Sequence, residues 1–281
     1  MQRRLPTFRF FSCIAVVLLA WLPNVAAADE WTSCVKLADD LAVAGCSRVI
    51  DSQQYTGRSL SRLYARRGGA YQAQGDFSRA MADYNESMRI DPTYPWAYNN
   101  RGNAWYHQGD YDRAIADYSQ AIQLDPKNGY AYANRGSAWG AKEQFDRAIA
   151  DFDQAIQLDP QDAEAYDNRG TAWRAKGDSD RAIADYSHAI ELNPKSGRAY
   201  VNRGSAWAAG GDFDRAIADF SQAIRLDPKD GKAYLKRGTA REMKRSLREA
   251  LADFRTYAQL APSDSEGLNA VRRVSRELSA R

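Results

Sequence analysis

Apolar and small residues recur along this chain in steps of three and four, and the whole pattern returns every 34 residues. From Pro95 the chain reads PWAYNNRGNAWYHQGDYDRAIADYSQAIQLDPKN, with Tyr98, Gly102 and Trp105 on one stripe and Ala114, Ile115, Tyr118, Ala121 and Ile122 on another. This spacing predicts two amphipathic helices per unit. Gly109-Asp110 parts them and Asp125-Pro126 ends the second. Gly68, Gly102, Gly136, Gly170, Gly204 and Gly238 hold one place in successive units. Glycine inside a helix costs about 1 kcal/mol relative to alanine, so its retention predicts close helix approach, with Gly102 facing Ala114 and Ala121. Each pair leaves an apolar face for the next pair to cover, which predicts a stacked array.

Tyr98, Gly102, Trp105, Ala114, Tyr118, Ala121 and Pro126, repeated along residues 61–264, resemble the tetratricopeptide repeat. The resemblance implies an all-α, right-handed superhelical solenoid of six helix-turn-helix repeats, at 61–94, 95–128, 129–162, 163–196, 197–230 and 231–264. One departure stands out. Where the family usually carries leucine before the glycine, this chain has Arg67, Arg101, Arg135, Arg169, Arg203 and Arg237, each followed sixteen positions later by Asp83, Asp117, Asp151, Asp185, Asp219 and Asp253. An ion pair between the two helices of each unit is the simplest account.

Charge then narrows the function. The formal net charge is +3, but Arg3, Arg4 and Arg9 lie in a segment without acids, and removing them leaves 36 basic against 36 acidic side chains. Neutrality argues against a general nucleic-acid binder. The segment itself, MQRRLPTFRFFSCIAVVLLAWLPNVAAA, has a basic start, an apolar run from Phe10 to Leu22 and small residues before Asp29. It reads as a signal peptide over residues 1–28, with a periplasmic or secreted product and no stable membrane span after its removal.

Cys34 and Cys46 then remain as an isolated pair, expected to form a disulfide in an exported chain. Twelve residues of continuous helix would hold them about 18 Å apart, so the chain must turn between them. Residues 29–60 are expected to form a helical hairpin cap, because Ala42–Ile50 echoes the AIADYSQAI of the repeats. Residues 265–281 read as a C-terminal capping helix with Leu268, Val271, Ser275 and Leu278 on one face.

Catalytic chemistry finds no foothold. His107 and His188 are the two histidines, and the recurring aspartates occupy turn, cap and ion-pair places in every unit. No enzyme activity, metal site or cofactor is expected. The resemblance implies instead that first helices line a concave groove. Its inward positions are Trp96, Asn99, Asn100, Asn103 and Tyr106 in one unit, then Tyr130, Asn134 and Ser137. Asp167, Asn168, Thr171 and Arg174 follow, then Arg198 and Asn202, with Lys232 and Lys236 at the far end. Asn100, Asn134, Asn168 and Asn202 repeat at one position, so their amides are expected to form a ladder despite the poor helix propensity of asparagine. A protein or extended peptide is the expected partner. The alternative is a cell-envelope glycan or polysaccharide-export role, with Trp96, Tyr106 and Tyr130 stacking on sugar rings.

Overall fold

The computed structural model describes Cys34 and residues 39–280. The expected signal peptide, its cleavage point at Asp29 and the first arm of the N-terminal hairpin apart from Cys34 lie outside them. The described residues form fourteen helices and no strand. Helix α1 (Asp39–Asp51) precedes six pairs: α2 (Gly57–Ala73) and α3 (Phe77–Ile90), α4 (Pro95–His107) and α5 (Tyr111–Leu124), and α6 (Gly129–Ala141) and α7 (Phe145–Leu158). Then come α8 (Ala163–Ala175) and α9 (Ser179–Leu192), α10 (Gly197–Ala209) and α11 (Phe213–Leu226), and α12 (Gly231–Met243) and α13 (Leu247–Leu260), before α14 (Ser265–Ser279). None of the described helices is long and apolar enough to cross a membrane.

Local chemistry sets these boundaries. Asp76, Asp110, Asp178 and Asp212 cap second helices, each side chain accepting a backbone N–H three residues on. Asn128, Asp162, Ser196 and Asp230 do the same for first helices. Between the helices of a pair, Gly75, Gly109, Gly177 and Gly211 take positive φ, the left-handed turn that glycine enters at least cost. Glu143 and Arg245 stand at the equivalent places with φ of 59° and 63°. Helix α2 begins four residues before the unit start read from the sequence. No capping side chain stands just before Ser61, and the helix runs back to Gly57, whose φ is +54°.

The repeated glycine does allow close approach, to the alanine backbone as expected, with Ala80 O and Ala148 O 3.1 Å from a Cβ on Gly68 and Gly136, and also to an aromatic ring that was not expected. A Cβ on Gly102 would lie 2.7 Å from the Tyr118 ring, not against the side chains of Ala114 or Ala121. Tyr118 shares a stripe with those alanines and is the longest of the three, so its ring lies across the glycine. Phe152, Tyr186, Phe220 and Phe254 repeat the contact at Gly136, Gly170, Gly204 and Gly238. These rings are fully buried, and each such burial is worth about 1.5–3 kcal/mol.

Every one of the six Arg–Asp pairs forms. Arg101 donates Nε to Asp117 Oδ2 at 2.8 Å and Nη2 to Oδ1 at 2.7 Å, and the same fork recurs from Arg67–Asp83 to Arg237–Asp253. The third nitrogen reaches the preceding pair. Arg135 Nη1 donates to Ser119, Arg203 Nη1 to Ser187 and Arg237 Nη1 to Ser221. Arg67 Nη1 finds Ser47 on α1, so Ala42–Ile50 occupies the place of the second helix that its sequence echoes. Cys34 and Cys46 are both buried, with Cα atoms 4.5 Å apart, and pack with Val49 and Leu63.

At the other end α14 packs on α13, but its buried face is Gly267, Ala270 and Val274, flanked by Val271 and Leu278. Leu268, expected on that face, is exposed. The rotation follows from Gly267, where a Cβ would lie 2.7 Å from the Tyr257 ring: the one residue small enough to meet that ring turns toward it.

Candidate functional site: the face lined by first helices

Each helix packs on its neighbours in sequence, and first helices also touch first helices of the next pair, α2 on α4, α4 on α6, α6 on α8, α8 on α10 and α10 on α12. Second helices show no comparable contact. Elements that meet across an intervening helix lie on the inside of a curve, so the stack bends toward its first helices and their outer stripe becomes a groove.

Two cavities of about 230 and 340 Å³ lie side by side in the middle of this groove, sharing Tyr106, Ser137 and Asn168. Thr171 joins the first, and Asn103, Asn134 and Arg198 join the second. A third of about 490 Å³ lies toward the C-terminus, with Lys232, Lys236, Leu235 and Thr239 in its wall beside Asp264 and Glu266. Burial, then the nearby charges of Arg174 and Lys232, hold the Lys236 ammonium below the usual lysine range.

The four asparagines do not form one ladder. Asn134 Nδ2 donates to Asn99 Oδ1 on the preceding first helix at 3.1 Å, and Asn202 Nδ2 donates to Asp167 Oδ1 at 3.0 Å. Asn100 and Asn168 make no hydrogen bond to the other described residues. The cause is one place earlier in each preceding unit: Asn99 and Asp167 offer oxygens, whereas Ala65 and Ala133 offer none. This alternation is present in the sequence and was the signal for telling committed amides from free ones.

Other expected site residues are similarly divided. Asn103 accepts the Tyr118 hydroxyl at 2.7 Å, Thr171 accepts that of Tyr186 at 3.2 Å, and Ser137 donates to Ala133 O. Asp167 is only 3% exposed, and it accepts from Arg198 Nε at 3.0 Å as well as from Asn202. Burial raises its carboxyl above the usual range, against the lowering effect of Asn202 and Arg198. Trp96 and Tyr130 are not brought together with the mid-groove residues. They lie on the rim, in a cavity walled by the turns that join successive pairs.

Comparison with known proteins agrees with this architecture. Tetratricopeptide repeat profiles match residues 95–128 and 129–162, and again 170–230 and 204–265, and a TPR repeat profile matches 68–109. No curated protein matches the sequence. Among solved structures, MamA is 28% identical over 59% of this chain and 96% of its own, with a TM-score of 0.53. YrrB, described as a TPR protein with an unusual peptide-binding site, is 22% identical over 67% of this chain and 97% of its own, with a TM-score of 0.55. PilW, described as a type IV pilus biogenesis factor, is 17% identical over 76% of this chain and 98% of its own, with a TM-score of 0.70. With its profile matches, its bend and its repeated helix pairs in agreement, this chain belongs to the tetratricopeptide repeat family.

Proposed function

We propose that the groove holds an extended segment of a partner protein, and that the chain is a non-enzymatic scaffold. The observation that carries this reading is Asn168, a helix-disfavouring amide without a hydrogen-bond partner at the junction of two groove cavities. One side-chain amide both donates and accepts, so it can pair with the N–H and C=O of an extended backbone. Asn100 offers a second such amide. Lys232 and Lys236 then select an acidic side chain or a carboxylate toward the C-terminal end. The peptide-binding site named for YrrB is consistent with this use of the fold. A displayed library of random peptides selected on the full chain tests it. Enriched peptides should carry acids toward one end and lose at least tenfold in affinity on Asn100→Ala with Asn168→Ala, but not on Gln123→Ala with Gln157→Ala on exposed second-helix positions. Equal affinity for all variants would place binding elsewhere.

The scaffold is also proposed to act outside the cytoplasm, with residues 1–28 removed and Cys34 bridged to Cys46. The leader's charge and hydropathy pattern supports export, and the adjacency of the two buried cysteines supports the bridge. Intact mass of protein isolated from the cell envelope decides both: a retained leader or two free thiols would contradict them.

A further inference from the structure

One residue near the end of each first helix varies together with the buried ring on the second helix of the same unit. Where the ring is Tyr84, Tyr118 or Tyr186, that residue is long: Gln72, Tyr106 or Arg174. Gln72 Oε1 accepts the Tyr84 hydroxyl at 2.9 Å, Arg174 donates to that of Tyr186, and Tyr106 packs on the cluster that holds Tyr118. Where the ring is Phe152 or Phe220, the residue shrinks to Gly140 or Ala208. Glu242 in the Phe254 unit is the exception, and both its carboxylate oxygens are taken by Arg273 of α14. A buried tyrosine hydroxyl needs a partner and a phenylalanine does not, so these two units leave open the space that the others fill.

A cavity lies at each of the two places. The one beside Ala208 is the cavity of about 490 Å³ whose wall carries Lys232, Lys236, Asp264 and Glu266. The one beside Gly140, of about 230 Å³, has no charged residue in its wall. Phe152 closes its base, while Tyr106, Ala141 and Phe145 are at least partly exposed and form its sides. Ser137 and Thr171 spend their hydroxyl protons on the carbonyls of Ala133 and Asp167. Asn168 and the Tyr106 hydroxyl are left unpaired among the described residues, both at the boundary with the neighbouring cavity. The fold itself asks for no glycine at 140: its φ is not left-handed, and a Cβ there would meet nothing within 4 Å.

We infer that the Gly140 cavity is a specificity pocket for one large apolar side chain, leucine, isoleucine, methionine or phenylalanine, of the extended segment held in the groove. The inference rests on the groove reading and names a side chain that reading leaves open. A charged side chain would enter without a counter-charge, and a sugar without partners for most of its hydroxyls, so desolvation opposes both. The volume lies below the range of about 300–1,000 Å³ found for drug-sized ligands, which suits a single side chain. At the boundary, the Asn168 amide can pair with the backbone that carries it.

Gly140→Tyr tests the pocket, because it supplies the residue that stands at the same place in the preceding unit, on a backbone with room for a Cβ. Circular dichroism melting verifies that the variant stays folded. Peptides selected from a displayed random library on the full chain should share one leucine, isoleucine, methionine or phenylalanine. Replacing that residue by alanine should lower affinity for the wild-type chain more than tenfold, a comparison that needs no variant protein. Gly140→Tyr should weaken the parent peptide to a similar extent. On that variant the parent and alanine peptides should then bind alike, since the side chain has lost its seat. Enriched peptides without a common apolar residue, undiminished affinity of Gly140→Tyr for the parent, or a tenfold difference between the two peptides that persists on Gly140→Tyr would overturn the assignment. Peptides weakened by Asn100→Ala with Asn168→Ala but not by Gly140→Tyr would remove the pocket and leave the groove proposal standing.

Discussion

Arg135 grips Asp151 with two parallel hydrogen bonds, Nε to Oδ2 at 2.8 Å and Nη2 to Oδ1 at 2.7 Å, and its remaining nitrogen donates to Ser119 of the preceding helix pair at 3.0 Å. One guanidinium thus closes its own helix pair and fastens it to the one before. Lysine has no fork to do both. Asp151 is nearly buried, so removing Arg135 leaves a charge poorly solvated. Arg135→Lys is expected to cost about 1–3 kcal/mol, and a double-mutant cycle with Asp151→Ala to show coupling of about 0.5–3 kcal/mol in urea denaturation. Additive losses would mean that the two charges act alone.

The divided asparagines make opposite predictions for stability at equivalent positions. Asn134→Ala strips the donor from Asn99, which is 3% exposed, and should cost about 1–3 kcal/mol. Asn168→Ala loses no internal hydrogen bond and gains helix propensity, so it should be neutral or stabilising by about 0.5 kcal/mol. Thermal unfolding of the two single variants is the check; equal shifts would show that the Asn134–Asn99 bond contributes nothing.

Glu143 holds the left-handed conformation that glycine holds at four equivalent turns. A side chain there costs roughly 1–2 kcal/mol, partly offset by the greater freedom glycine has in the unfolded chain. Glu143→Gly should therefore stabilise by about 0.5–1 kcal/mol, and Gly177→Ala at the same turn of the next pair should destabilise. Chemical denaturation midpoints read both, and a lower midpoint for Glu143→Gly would refute the strain argument.

Asp167 carries a pH dependence of defined sign. Burial raises its folded pKa above the unfolded one, so its contribution is complete below the unfolded value of about 3.9 and is lost as pH rises through the folded value. At neutral pH its charge is a cost. Arg198, more than half exposed, compensates weakly. Asp167→Asn, which reproduces the residue at Asn99 and keeps an acceptor for Asn202, should raise the melting temperature at pH 7 and leave it nearly unchanged at pH 3. A fall at pH 7 would show that the Arg198 pair outweighs desolvation.

The paired-helix repeat and the Arg–Asp ion pair were legible in the sequence because each depends on residues close along the chain. A stripe at steps of three and four, an aspartate cap, a glycine at the turn and a charge sixteen residues from its partner all act within one unit, and four of the six units restate all of them. Errors arose at contacts whose outcome depends on side-chain length or helix rotation. Gly102 meets Tyr118 because an aromatic ring reaches past the alanines beside it, and α14 buries Ala270 and Val274 because Gly267 admits the Tyr257 ring.

The candidate sites divide the same way. Periodicity placed the asparagines of the groove in register, but only packing between units decided which of them are free. Asn134 and Asn202 are held by oxygens that happen to project from the preceding first helix, while Asn100 and Asn168 face alanines there. The rim cavity was beyond reach of any single unit, since Trp96 and Asn128 come from one unit and Tyr130 and Asp159 from the next. What the sequence by itself determined was the unit, because a repeated helix pair is specified by local spacing and caps. What only the tertiary structure decided was the surface between units, because a hydrogen bond or a cavity there depends on the residue that stacking brings alongside from the neighbouring unit, 35 positions away for Asn134 and Asn99.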